Sequence, residues 1–179
     1  MRVLAGMLAH PGQDSLAVLR EVAESVPWLA DAVCELSAVP LDQWQAEHTR
    51  LFINGFPRTV CPPFASAWVA DSLLNERTLD ALEQLYQTVS LQFPRMWVDY
   101  LGTMLEVLAY LRLPADPPMS VNSTEETRRQ VASTVWNEHL APWLPDFAAR
   151  LSVEGRLALY RVLGDRLLAL FPNGGEGEA

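Results

Sequence analysis

Apolar residues recur at three- and four-residue intervals along almost the whole chain, and two-residue alternation of Val, Ile and Thr is absent. That period marks helices with one buried stripe, so the sequence predicts an all-α fold of about ten helices. Gly and Pro punctuate the pattern into helical segments near 2–9, 13–24, 27–37, 41–53, 63–74, 78–91, 94–112, 123–139, 143–151 and 154–171. In 41–53, Trp44, His48, Leu51 and Phe52 share one face. In 154–171, Leu157, Tyr160, Val162, Leu163, Leu167, Leu168 and Phe171 form a broad apolar stripe. Burying one Leu or Phe contributes roughly 1.5–3 kcal/mol, so such stripes suffice to hold a helical bundle together.

Several boundaries have a chemical cause. Pro11-Gly12 separates the first two helices, with Asp14 placed to cap the second. Pro94 is expected in the first turn of its helix, where a missing N–H costs nothing. Ser123 and Glu126 have capping-box spacing. Residues 113–122 carry three prolines and no periodicity. They read as a hinge or crossover inside a single domain spanning 1–173. The hinge divides a larger N-terminal region, residues 1–112, from C-terminal helices over 123–173, and a polar, flexible tail follows at 174–179. Such a connection permits helix exchange, which leaves a monomer and a helix-swapped homodimer both open.

Composition narrows the function. The 179 residues are 50% hydrophobic, enough for one globular domain with a sizeable core. A net charge of −9 argues against nucleic acid, whose phosphates need clustered Lys and Arg. It suits a cytosolic protein, or one whose partner carries a basic segment. No apolar run approaches the ~20 residues that span a bilayer, and the N-terminal apolar run is too short for a signal peptide. Cys34 and Cys61 form no C-x-x-C pair and read as free thiols, Cys61 as a packing cysteine. His10, His48 and His139 have no metal-ligand spacing, and no nucleophile elbow or glycine-rich phosphate loop occurs. The expectation is therefore a binding protein, not an enzyme, with no cofactor and no metal. Arg128-Arg129 reads as a surface pair on a helix.

Candidate binding features lie in the middle of the chain. Leu51-Phe52 is followed by a Gly/Pro loop, then Pro62-Pro63 and the small residues Ala65, Ser66, Ala67 and Ala70, with Trp68 either in the core or flooring a groove. In 94–112, Trp97, Leu101, Met104, Leu105, Leu108 and Leu111 make the apolar side. Asp99, Thr103, Glu106 and Tyr110 make a polar stripe. That stripe is either the solvated side of the helix or an acidic strip placed to meet Arg or Lys of a partner.

Taken in order, Glu47-x-x-x-Leu51-Phe52, Pro62-Pro63-x-x-Ser66, Asp99 ahead of Leu105-Glu106-x-Leu108-x-x-Leu111, and His139-Leu140-x-Pro142-Trp143-x-x-x-Phe147 resemble the TorD/DmsD/NarJ-type redox-enzyme maturation chaperones over roughly residues 40–150. The resemblance implies a cytoplasmic all-helical chaperone. Its partner would be the apo catalytic subunit of a molybdopterin-dependent oxidoreductase and the subunit's twin-arginine leader, held until cofactor insertion. It points to Pro62, Pro63, Ser66, Trp68 and Asp99 as leader-binding residues. Leu51, Phe52, Tyr100, Glu106, His139 and Trp143 complete the expected peptide-binding set. This chain has Tyr100 where the family often has His. The alternative reading is a helical regulatory or scaffold module with another protein partner.

Overall fold

The computed structural model describes residues 1–68, 72–113 and 124–171. Among them are nine α-helices: α1 (Arg2–Gly6), α2 (Ser15–Ser25), α3 (Ala30–Leu36), α4 (Leu41–Phe52), α5 (Ser72–Thr88), α6 (Leu101–Leu111), α7 (Glu125–Thr134), α8 (Leu144–Glu154) and α9 (Ala158–Leu168). Short 3₁₀ turns occupy Pro27–Leu29, Ala65–Ala67 and Arg95–Trp97, and a π-helical turn occupies Val135–Leu140. Among the described residues the β-type pairing is one isolated antiparallel bridge, Phe64 with Tyr100. The fold is all-α, as the periodicity predicts.

The expected helices 63–74 and 94–112 are not continuous. The first is a 3₁₀ turn at Ala65–Ala67, and α5 starts at Ser72. The second is a 3₁₀ turn at Arg95–Trp97 and then α6 from Leu101, with Tyr100 extended at its N-cap. Pro94 is the N-cap of that turn rather than a residue of its first turn. The expected helix 123–139 ends as α-helix at Thr134 and widens into the π turn. Its N-cap is Thr124, whose hydroxyl accepts from Thr127 N–H at 3.1 Å, while Glu126 pairs with Arg129. Asp14 does occupy the N-cap of α2 but makes no side-chain capping bond. Ser123, Ala70, the connection 114–122 and the tail 174–179 lie outside the described residues.

The chain divides into two compact units. The first comprises residues 1–8 and 63–143. Its centre is α6, which is apolar around most of its circumference: Leu101, Met104, Leu105, Val107, Leu108 and Leu111 are all buried. Leu4, Met7 and Leu8 of the N-terminal stretch are buried too, with α1 packed along α6. Arg128 of α7 is a correction to the surface-pair expectation. It is buried, donates to Tyr110 O at 2.7 Å and Leu113 O at 3.1 Å, and lies over the Tyr110 ring. Its guanidinium thus adds a second donor to Tyr110 O, which already accepts from Leu113 N–H, and meets Leu113 O just past the end of α6. Arg129 alone is exposed.

The second unit comprises residues 9–62 and 144 onward. Trp44, His48, Leu51 and Phe52 on α4 are buried as predicted. His48 packs edge-on against Phe52 and His10, and Phe52 against Tyr160, whose hydroxyl accepts from Trp44 Nε1 at 3.0 Å. In α9 the buried set is Leu159, Tyr160, Leu163 and Leu167, narrower than the stripe expected. Two carboxylates secure the start of α9. Glu47 accepts from Arg156 N–H and from the Arg50 guanidinium, and Glu35 accepts from Ala158 N–H at 2.8 Å.

Candidate functional site

Pro63 and Asp99, 36 positions apart in sequence, are joined by a short backbone ladder. Leu101 N–H donates to Pro63 O at 2.8 Å, and Ala65 N–H donates to Asp99 O at 3.1 Å. The Asp99 carboxylate then accepts from Ser66 N–H at 2.9 Å. These three bonds supply what helical backbone would have supplied at the same positions, which is why the chain leaves helical geometry before α6. Pro63 cannot donate, so it offers only the carbonyl the ladder uses.

Tyr100 is fixed from two sides. Its hydroxyl donates to Leu8 O at 3.1 Å, and its ring lies against Gly102, where a Cβ would collide with it. Burial, helped by the charge of Glu106, pushes that hydroxyl up to about 12, so it stays a donor. Phe64 and Trp97 complete an aromatic cluster. Phe64 stacks on Trp97 with centroids 6.1 Å apart, and Tyr100 lies 5.3 Å from Phe64 and 5.2 Å from Trp97. The cluster reaches solvent: Trp97 is 43% exposed and Met96 69%. A cleft of about 300 Å³, walled by Glu83, Tyr86, Gln87, Leu91, Phe93 and Val98, lies in the same unit.

Carboxylates border this surface. Glu106 is exposed and close enough to act on Tyr100. Next to Met96, Arg95 pairs with Glu76 at 2.6 Å, Asp80 at 2.9 Å and Glu83 at 3.2 Å. The hydrogen bond to Glu76, then that to Asp80, raises the guanidinium pKa further above its usual value. Three carboxylates against one guanidinium leave the cluster negative. The surface therefore offers aromatic faces and acidic neighbours, which suits a peptide with apolar and basic residues.

Of the expected site residues, the structure brings together Pro63, Ser66, Asp99, Tyr100 and Glu106 in the first unit. Asp99 is 4% exposed and its carboxylate faces the loop. Trp68 stacks on Trp143, centroids 6.3 Å apart, and Trp143 is buried with Nε1 donating to His139 O at 2.6 Å. His139 is half-buried, and burial lowers its pKa against the opposing charge of Glu138. Leu51, Phe52 and Pro62 belong to the second unit, where Leu51 and Phe52 are core residues. Phe64 and Met96 were not expected, and Trp97 was expected on the buried side of a helix. Pro94 marks the start of the interrupted segment, but Gly102 lies inside α6, and the i, i+4 spacing of Trp97 and Leu101 gave no sign of the break between them.

Both cysteines are free. Cys34 is exposed, while Cys61 is buried and its thiol is pushed up to about 12, chiefly by burial. No group of three or more His, Cys, Asp or Glu able to hold a metal occurs among the described residues. No helix among them is long and apolar enough to cross a membrane.

Residues 16–149 match the family described as nitrate reductase delta subunit. The fold is similar to the crystal structure of a redox enzyme maturation protein from Archaeoglobus fulgidus, with 18% identity, 94% of this chain and 90% of that chain covered, and a TM-score of 0.57. At that identity the likeness bears on the fold alone. No curated protein matches the sequence.

Proposed function

The chain belongs to the nitrate reductase delta subunit family, the NarJ/TorD type of redox-enzyme maturation chaperone, and from that we propose that it is a cytoplasmic, non-catalytic chaperone that binds the leader of an apo-molybdoenzyme catalytic subunit before cofactor insertion. The observation that carries the reading is the solvent-reaching cluster Phe64–Trp97–Tyr100, held in place by the Pro63–Leu101 and Ala65–Asp99 ladder and bordered by carboxylates. A leader with two arginines beside an apolar stretch complements it on both counts. The apolar side chains cover Trp97 and Met96. The guanidiniums meet Glu106 and the excess negative charge around Arg95. Asp99 acts on the peptide through the Ser66 loop it holds, since its carboxylate is already engaged there. A chaperone that must later release its client needs only an affinity near micromolar, about −8 kcal/mol.

Titration with leader peptides from molybdoenzymes of the same organism tests this, followed by the fluorescence of the six tryptophans. Binding near micromolar, weakened about tenfold by Trp97→Ala and weakened by added salt, is expected. If no leader binds, or if leaders lacking both arginines bind equally well, the reading fails.

A further inference from the structure

The cleft of about 300 Å³ is lined by the end of α5 and by the chain that leaves it. Glu83 and Gln87 of α5 stand on the helix face that also carries Glu76 and Asp80, at i, i+4, i+7 and i+11. A tight turn ends the helix. Ser90 N–H donates to Gln87 O at 3.0 Å and Leu91 N–H to Tyr86 O at 2.9 Å, with Ser90 left-handed at φ 60°. The reversal supplies Leu91, Gln92 and Phe93 to the lining. The Tyr86 hydroxyl donates to Val98 O at 3.2 Å, so Tyr86 offers the cleft its ring, with Phe93 packed edge-on at 5.4 Å. One carboxylate and two amides line the cleft, and none of its described lining residues is a cation.

Arg95 shows what this lining attracts. Its guanidinium contacts Glu76 at 2.6 Å and Asp80 at 2.9 Å, and Glu83 more loosely at 3.2 Å. Of the three carboxylates, Glu83 alone lines the cleft, and its side chain is 31% exposed against 72% for Glu76 and 60% for Asp80. We infer that the cleft receives an arginine side chain of the bound peptide on Glu83, and that Arg95 is an internal competitor that cedes Glu83 while keeping Glu76 and Asp80. The inference rests on the proposed function, because the peptide is the leader that the aromatic cluster holds. Three features select a guanidinium. Its five donors match a carboxylate and two amide oxygens. Its plane suits the faces of Tyr86 and Phe93, as the point charge of a lysine does not. The three carboxylates around Arg95 repel an anion. The handover is easy, because an exposed ion pair contributes little. Reach is sufficient as well. Phe93 precedes Trp97 by four residues, which span at most about 14 Å. One extended leader segment therefore covers Trp97 and enters the cleft together.

The test uses the full chain and three probes: a leader peptide, the same peptide with citrulline for both arginines, and N-acetyl-arginine amide. Citrulline keeps the shape of arginine and removes its charge. Glu83→Gln is expected to weaken the arginine peptide about tenfold. Arg95→Gln, which frees Glu83, tightens it about threefold. Neither changes affinity for the citrulline peptide. Gln87→Ala weakens the arginine peptide to a smaller extent, and it serves as the test if Glu83→Gln fails to melt like the wild type. Glu76→Gln, outside the cleft, leaves the affinity within about twofold. Wild-type affinity of Glu83→Gln for the arginine peptide overturns the inference. So does an equal loss toward the citrulline peptide, which would mark a structural role. A loss in Glu76→Gln as large as that in Glu83→Gln overturns it in favour of overall charge. If the leader binds through Trp97 but ignores Glu83→Gln and Arg95→Gln, the cleft inference fails and the proposed function stands. If N-acetyl-arginine amide shifts the Tyr86 and Phe93 ring signals in nuclear magnetic resonance but no leader binds, the proposed function fails and the cleft assignment stands.

Discussion

Asp99 shows how much one side chain can do from inside. Its main-chain carbonyl and its carboxylate both accept from the 65–66 segment, so a single residue aligns the loop that carries Phe64. Removing the carboxylate takes away its bond to the half-buried Ser66 N–H, which costs about 1 kcal/mol. Asp99→Ala should therefore lower the unfolding free energy in urea by about that amount, and Asp99→Asn, which keeps an acceptor, by less. Equal stability of all three proteins would show that the Ser66 bond contributes nothing. Arg128 and Arg129 make the complementary point. Adjacent in sequence and alike in chemistry, they have opposite fates. Which of the two faces the end of α6 depends on where α7 begins, and Thr124 rather than Ser123 sets that start.

At the scale of elements, the helices with strong stripes were legible. Trp44, His48, Leu51 and Phe52 name the buried face of α4 without any structure. The segment 94–112 was not legible as a break, because Trp97 and Leu101 are spaced i, i+4 and keep the helical period intact. The interruption comes from pairing with residues 63–66, a tertiary contact to which local periodicity is blind. For the same reason the order of the motifs pointed to Pro63, Ser66 and Asp99, while the exposed aromatic surface they support went unread. Elsewhere the limiting factor is space. At Gly164 of α9 a Cβ would lie 2.6 Å from Ala148 O and from Ser152 N of α8, both main-chain atoms with nowhere to go. Gly164→Ala should cost about 2 kcal/mol through forced separation of the two helices, read as a lower denaturation midpoint. A variant as stable as the parent would mean that the crossing is looser than described.

At the scale of the molecule, each unit is assembled from two separate stretches of chain. The first unit needs residues 1–8: Leu4, Met7 and Leu8 are buried, and Leu8 O receives the Tyr100 hydroxyl. Deleting residues 1–8 should destabilise the protein by roughly 5 kcal/mol and loosen Tyr100, seen as a changed near-ultraviolet circular dichroism spectrum. An unaltered spectrum and melting temperature would show that the stretch is dispensable. The ladder from Pro63–Ala65 to Asp99–Leu101 also bears on how the aromatic surface can vary. Its frame is written in peptide groups and one interior acid, so the rings displayed on it are free to be replaced in descendants without redrafting the scaffold. On the proposed peptide-binding reading, a different client would call for a change of display only, with the mounting kept intact.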